Sequence, residues 1–150
     1  MSKNSQKEVD VTLKLFVVLN RALESIEKQI KKDIKNYDLN ITEFAVLELL
    51  YHKGDQPIQR IGKKVLLASS SITYVVDKLE EKQLIERKAC PTDRRVTYAS
   101  ITEKGKKRMA EIFPKHEQKL VSIFAGLNLE EKEQMIEQLK KLGFHAESIT

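Results

Sequence analysis

The chain has 150 residues, of which 41% are hydrophobic and 33% charged, enough for one compact domain with its own core and too few for two ordinary enzyme domains. Its formal charge of +5 is unevenly placed: residues 1–56 hold 9 basic and 9 acidic side chains, residues 57–109 hold 13 and 6, and residues 110–150 hold 5 and 7, so the positive excess lies in the middle third. No apolar run has the length of a membrane span, the polar start offers no signal-peptide core, and a single cysteine excludes an intrachain disulfide and a cysteine-rich zinc module, so a cytoplasmic protein is expected.

Leu15, Leu19, Ala22, Leu23, Ile26, Ile30 and Ile34 recur at helical spacing and predict a first helix over about 9–36. Leu13 and the run Leu15 to Leu19 are apolar nearly all round its axis, which predicts burial on two sides, one against the core and one against a second subunit. Asn40 or Thr42 can cap a second helix carrying Phe44, Val46, Leu47, Leu49 and Leu50 and ending near Gly54. Asp55-Gln56-Pro57 reads as the entry to a short helix from Ile58 to about Val65. Ser69-Ser70-Ser71 offers the cap of an amphipathic helix of about four turns through Ile72, Val75, Val76 and Leu79. The period then changes. Leu84 to Ala89 and Val96 to Thr102 read as two strands joined by Cys90-Pro91-Thr92-Asp93-Arg94-Arg95, a hairpin with a charged tip. Helical spacing returns with Met109, Ile112, Phe113, His116, Leu120, Ile123, Phe124 and Leu127, where Pro114 predicts a kink or break. Asn128 with Glu131 opens a last helix through Met135, Ile136, Leu139 and Leu142.

A short helix, a turn, a second helix and a two-stranded hairpin make the layout of a winged helix-turn-helix, within a mainly α fold. The apolar residues of the helix after Ser69 face one way, and its opposite face carries Ser70, Thr73, Tyr74 and Asp77 with Lys78 at the edge. Small hydroxyl side chains at its N-terminal end allow close approach to base edges, and the helix dipole favours a nearby phosphate. Ser69, Ser70, Ser71, Thr73, Tyr74 and Lys78 are therefore candidate DNA contacts. Gln59, with Lys63 or Lys64, is placed to hold the sugar-phosphate backbone. At the hairpin tip Arg94 or Arg95 can enter a minor groove, where the potential is most negative, with Asp93 orienting the guanidinium through a bidentate pair.

The wing Asp93-x-Arg95, followed by a strand and by Ile101-Thr102-x-x-Gly105, resembles the MarR family of dimeric bacterial winged-helix repressors, with Ile101 where the family pattern has Leu. The similarity extends over Leu39 to Leu50, Ile61 to Ile85 and the helices at both ends. Within the family, the segment from Phe44 to Pro57 and Ser71-Ile-Thr-Tyr-Val-Val-Asp-Lys-Leu79 look most like the repressors of quinone and catechol resistance. The resemblance implies one domain over 1–150, with dimerisation helices at about 9–36 and 103–145 around a DNA-binding lobe at about 40–102. It implies a homodimer whose interface includes Leu13, Phe16, Phe113, Ile123, Phe124, Leu139 and Leu142. It also implies a pocket for a small effector, of the phenol or quinone kind in that branch, near Phe16, Arg21, Tyr37, Tyr51 and His52.

Cys90 is the redox candidate, since Arg87, Lys88, Arg94 and Arg95 around it would lower its pKa. The family's oxidant-sensing members carry their cysteine in the first helix, where this chain has none, so direct ligand binding is the better mechanism. Scattered His52, His116 and His145 give no metal-ligand spacing, and no cofactor is expected. No Gly-rich phosphate loop or nucleophile-base pair points to an enzyme. Lys104-Gly-Lys106-Lys107-Arg108 has the look of a solvated helix face. Two functions stay open: a dimeric transcriptional repressor binding double-stranded DNA at a pseudo-palindromic operator, and a winged-helix module for protein association, which steep salt dependence of duplex binding would separate.

Overall fold

A computed structural model describes residues 3–65 and 72–150. In chain order these residues form α1 (Lys3–Lys35), α2 (Ile41–Lys53), β1 (Gln56–Pro57), α3 (Ile58–Lys64), α4 (Ile72–Glu81), β2 (Ile85–Ala89), β3 (Thr97–Ile101), α5 (Glu103–Ile123) and α6 (Leu129–Ser148). The mainly α architecture with a small hairpin is as expected. The cap residues Ser69, Ser70 and Ser71 lie outside the described residues, and the described part of α4 is about three turns.

The core gathers one face of each central element. Phe44, Val46, Leu47 and Leu50 from α2, Ile61 from α3, and Val75, Val76 and Leu79 from α4 are buried with Ile85, Ala99, Met109 and Ile112. Fully burying such side chains is worth about 1.5–3 kcal/mol each. The start of α2 is fixed by Asn40, not Thr42: its side chain accepts from the Glu43 N–H (2.8 Å) while Glu43 accepts from the Asn40 N–H (3.0 Å). The same reciprocal cap joins Asn128 and Glu131 at α6.

Several boundaries differ from the sequence expectation. The first helix begins at Lys3, six residues before Val9, and the last runs on to Ser148. Gln56 and Pro57 are a third strand as well as a helix entry, pairing Gln56 with Ala99 and Pro57 with Tyr98 in a sheet of order β1-β3-β2. Pro57 has no N–H to donate and so suits the edge. Pro114 interrupts nothing: α5 is continuous across it. The carbonyl its ring leaves without a donor belongs to Ala110, and both residues are exposed, so water can serve that group.

The two-sided burial predicted for Leu13 to Leu19 is absent within one chain, because α1 outruns the lobe. Every residue from Lys3 to Ser25 is exposed, Phe16 by 66%, and only Ile34 at the far end is fully buried. α6 likewise buries none of its residues.

Candidate nucleic-acid interface

Gln59, near the start of α3, and Thr73, in the first turn of α4, meet Arg87 and Arg95 of the hairpin around one concavity of about 250 Å³. The structure therefore brings a helix-turn-helix residue from each helix and the wing arginine to a common surface. Tyr74 stands exposed on the same helix, with the Lys78 ammonium 5.5 Å from its ring centre. Lys78 also pairs with Glu81 at 3.5 Å, so its charge is partly engaged. Ser69, Ser70 and Ser71 cannot be placed, being outside the described residues.

At the wing tip Asp93 does not form the bidentate pair expected. A single oxygen, Oδ1, accepts from the Arg95 backbone N–H (3.0 Å) and lies 3.4 Å from its Nε, an Asx-type turn that fixes the loop. The Val96 N–H closes the turn on the Asp93 carbonyl (3.1 Å). The guanidinium of Arg95 is left outward, its side chain 91% exposed, and Arg94 is exposed beside it with no ionic partner among the described residues. Lys64 donates to the Gln56 side chain (3.2 Å), whereas Arg60 and Lys63 are exposed cations of α3 with no ionic partner among the described residues.

Arg87 was not singled out as a wing residue by the sequence. Its Nη2 lies 2.5 Å from Asp77 Oδ1 and its Nη1 2.7 Å from Glu80 Oε1, while its backbone N–H donates to Glu80 Oε2 (3.2 Å). The Asp77 hydrogen bond, followed by the charges of Glu80 and Asp77, outweighs the opposing effect of burial and holds the guanidinium charged even above the usual arginine range. Asp77 and Glu80 at i and i+3 on the exposed face of α4 were the available signal; their partner lies beyond the turn from α4 into β2, at no fixed sequence spacing.

The motif after β3 has a mechanical explanation. Thr102 caps α5 by accepting from the Gly105 N–H (3.0 Å), donates its hydroxyl to the Gln83 carbonyl (2.7 Å), and sends its own N–H to Leu84 O (3.0 Å). Gly105 packs so closely on the Leu84 carbonyl that a Cβ there would overlap it. The basic run that follows is mostly structural: Lys104 donates to Lys82 O (3.1 Å), Lys106 pairs with Glu103 (3.3 Å), and Arg108 donates to Tyr37 O (2.9 Å).

The Cys90 thiol is held below its ordinary range, and the cause differs from the one expected. The hydrogen bond with the Thr92 hydroxyl (3.4 Å) is the largest effect, followed by the backbone amides of Thr92 and Asp93; the neighbouring arginines are not among the causes. The expected effector residues do not converge within one chain. Phe16 and Arg21 lie on the exposed part of α1, about 28 and 21 Å along the helix from its end at Lys35, which Tyr37 follows. Tyr51 and His52 do meet, with Phe113 as a third ring 4.6 Å from His52, so Phe113 packs half-buried against the lobe. Tyr37 instead donates to Asp33 (3.5 Å), and burial, then the Asp33 charge, pushes its phenol up. His52 also borders a groove of about 660 Å³ between α1 and α2, floored by Ile41, Ala45 and Leu49 and rimmed by Lys31. Among the described residues no cluster of His, Cys, Asp and Glu could hold a metal ion.

The MarR family model matches residues 39–97, the stretch from the start of the core helices to the wing. The HTH-type transcriptional regulator MhqR of Bacillus subtilis is 58% identical over 135 residues, covering 90% of this chain and 93% of that one. The chain belongs to the MarR family. As a MarR-family transcriptional regulator it shares its fold with AbsC of Streptomyces coelicolor (TM-score 0.78, 19% identity, 99% and 98% of the two chains). A second MarR regulator of that organism, Sco3205, solved in complex with DNA, superposes with a TM-score of 0.78 at 16% identity over 86% of this chain and 83% of its own. No helix among the described residues of this MarR protein is long and apolar enough to cross a membrane.

Proposed function

We propose that this MarR regulator is a homodimeric repressor that binds a pseudo-palindromic operator and lets go when a small aromatic effector, a phenol or quinone, shifts the distance between its two recognition helices α4. The observation that carries the proposal is the shared concavity of Gln59, Thr73 and Arg95, in which two helices and the wing present polar side chains to one surface. All three residues belong to the positive middle third of the chain. Sco3205, a family member solved in complex with DNA, supports the same use of the fold. The groove beside His52, apolar along Ile41, Ala45 and Leu49 and bordered by both Lys31 and Glu27, is the candidate place within one chain for a planar phenolic molecule. The exposed apolar residues Leu13, Phe16, Phe124, Leu139 and Leu142 supply a dimer interface, with half-buried Ile123 and Phe113 at its border.

Arg95→Ala tests the DNA role directly. A lost groove contact is expected to cost about 1–3 kcal/mol in a gel-shift titration, whereas an unchanged affinity removes Arg95 from the interface. Duplex binding should also fall steeply between low and moderate salt as counterions are released. A protein that retains no duplex at low salt would favour the protein-association alternative.

A further inference from the structure

The exposed face of α4 and the wing are separate pieces of chain that must reach adjacent grooves at a set spacing, and beyond the backbone bond from the Leu84 N–H to Leu79 O one side chain ties their exposed surfaces together. Arg87, in β2, bridges Asp77 and Glu80 of α4 with both arms of its guanidinium, and Glu80 returns its second oxygen to the Arg87 backbone N–H. The Arg87 side chain is only 29% exposed, against 91% for Arg95, so its charge is turned toward the helix and not outward. Such fork-shaped pairing restricts orientation as well as distance. Arg95 and Thr73 border the same concavity as this clamp. We propose that Arg87 is a positioning residue for DNA recognition: it pins the base of the wing to α4 and thereby sets the spacing at which Thr73 and Arg95 meet the duplex, without itself binding phosphate. This deepens the reading of α4 and the wing as a DNA-binding surface and rests on it.

The full-length protein is titrated, by fluorescence anisotropy, against the duplex most enriched in a selection from random sequence and against an unselected random duplex. The readout is the ratio of the two affinities, in which general charge effects cancel. Arg87→Met and the paired Asp77→Asn/Glu80→Gln variant should each lower that ratio about tenfold, and the triple variant should lower it no further, because the same clamp is already open. Arg87→Lys, whose ammonium can hold one carboxylate, should fall between. A phosphate contact predicts something else: Arg87→Met weakens both duplexes equally and the ratio stands. Pure charge predicts that Asp77→Asn/Glu80→Gln tightens both duplexes with the ratio unchanged. Either result overturns the clamp, as does additivity in the triple variant. Circular dichroism melts set the assay temperature below every transition, and Arg87→Gln replaces Arg87→Met if the latter does not fold. If the wild type binds neither duplex, the DNA reading fails with it; if it binds with an intact ratio in every variant, only the role of Arg87 fails.

Discussion

Gly105 has no room for a side chain, since a Cβ would overlap the Leu84 carbonyl and sit 2.7 Å from Ile101 Cγ1. Gly105→Ala should therefore lower stability by about 1–3 kcal/mol in urea unfolding, a cost of overpacking that a wild-type midpoint would contradict. The Cys90 thiol makes a different prediction at the same scale. Donors around the sulfur favour the thiolate, so alkylation by iodoacetamide should rise at a lower pH than for an ordinary cysteine, and Thr92→Val should move that rise back up. An unshifted profile for Thr92→Val would show that the hydroxyl is not the cause. Residue types were legible at this scale, and their partners were not. The neighbouring charges of Asp93, Arg94 and Arg95 predict a bidentate pair, yet the pairing geometry depends on how the loop folds. The pairing of Arg87 is not legible in the sequence because Asp77 and Glu80 lie on another element.

At the scale of elements, period and caps carried most of the information. The stripes of α2 and α4 and both Asn caps are local in sequence, and the core they build follows from them. Removing the α6 cap with Asn128→Ala should cost about 1 kcal/mol of stability, read from thermal or denaturant unfolding; no change would mean that α6 is held by its neighbours alone. The illegible element was β1. Two residues, one of them proline, show no alternation, and only the partner strand β3 makes them a strand. Pro114 misled in the opposite direction, because the consequence of a lost helix hydrogen bond depends on whether the orphaned carbonyl meets water, which burial decides and sequence does not show.

For the whole molecule, the long exposed apolar faces are the dominant feature. Val9 to Leu23 on α1 and Met135 to Leu142 on α6 expose a run of large aliphatic and aromatic side chains that an isolated chain would leave in water. Association is expected to cover them, so sedimentation should give twice the 17.3 kDa chain mass, and Phe16→Glu with Leu139→Glu should yield monomers of much weaker duplex affinity. A monomeric wild type would contradict the dimer. The apolar excess of the first helix is legible in the sequence and its exposure is what an interface would need, whereas the expected effector residues, spread over about 28 Å of α1 and beyond, do not assign themselves to one pocket from spacing. The central claim is that two such chains read two halves of one DNA site. Selection of duplexes from a random pool by the purified protein tests it most directly: the account predicts enrichment of an inverted repeat with half-sites about one helical turn apart, and enrichment of nothing, or of a single site without symmetry, would contradict it.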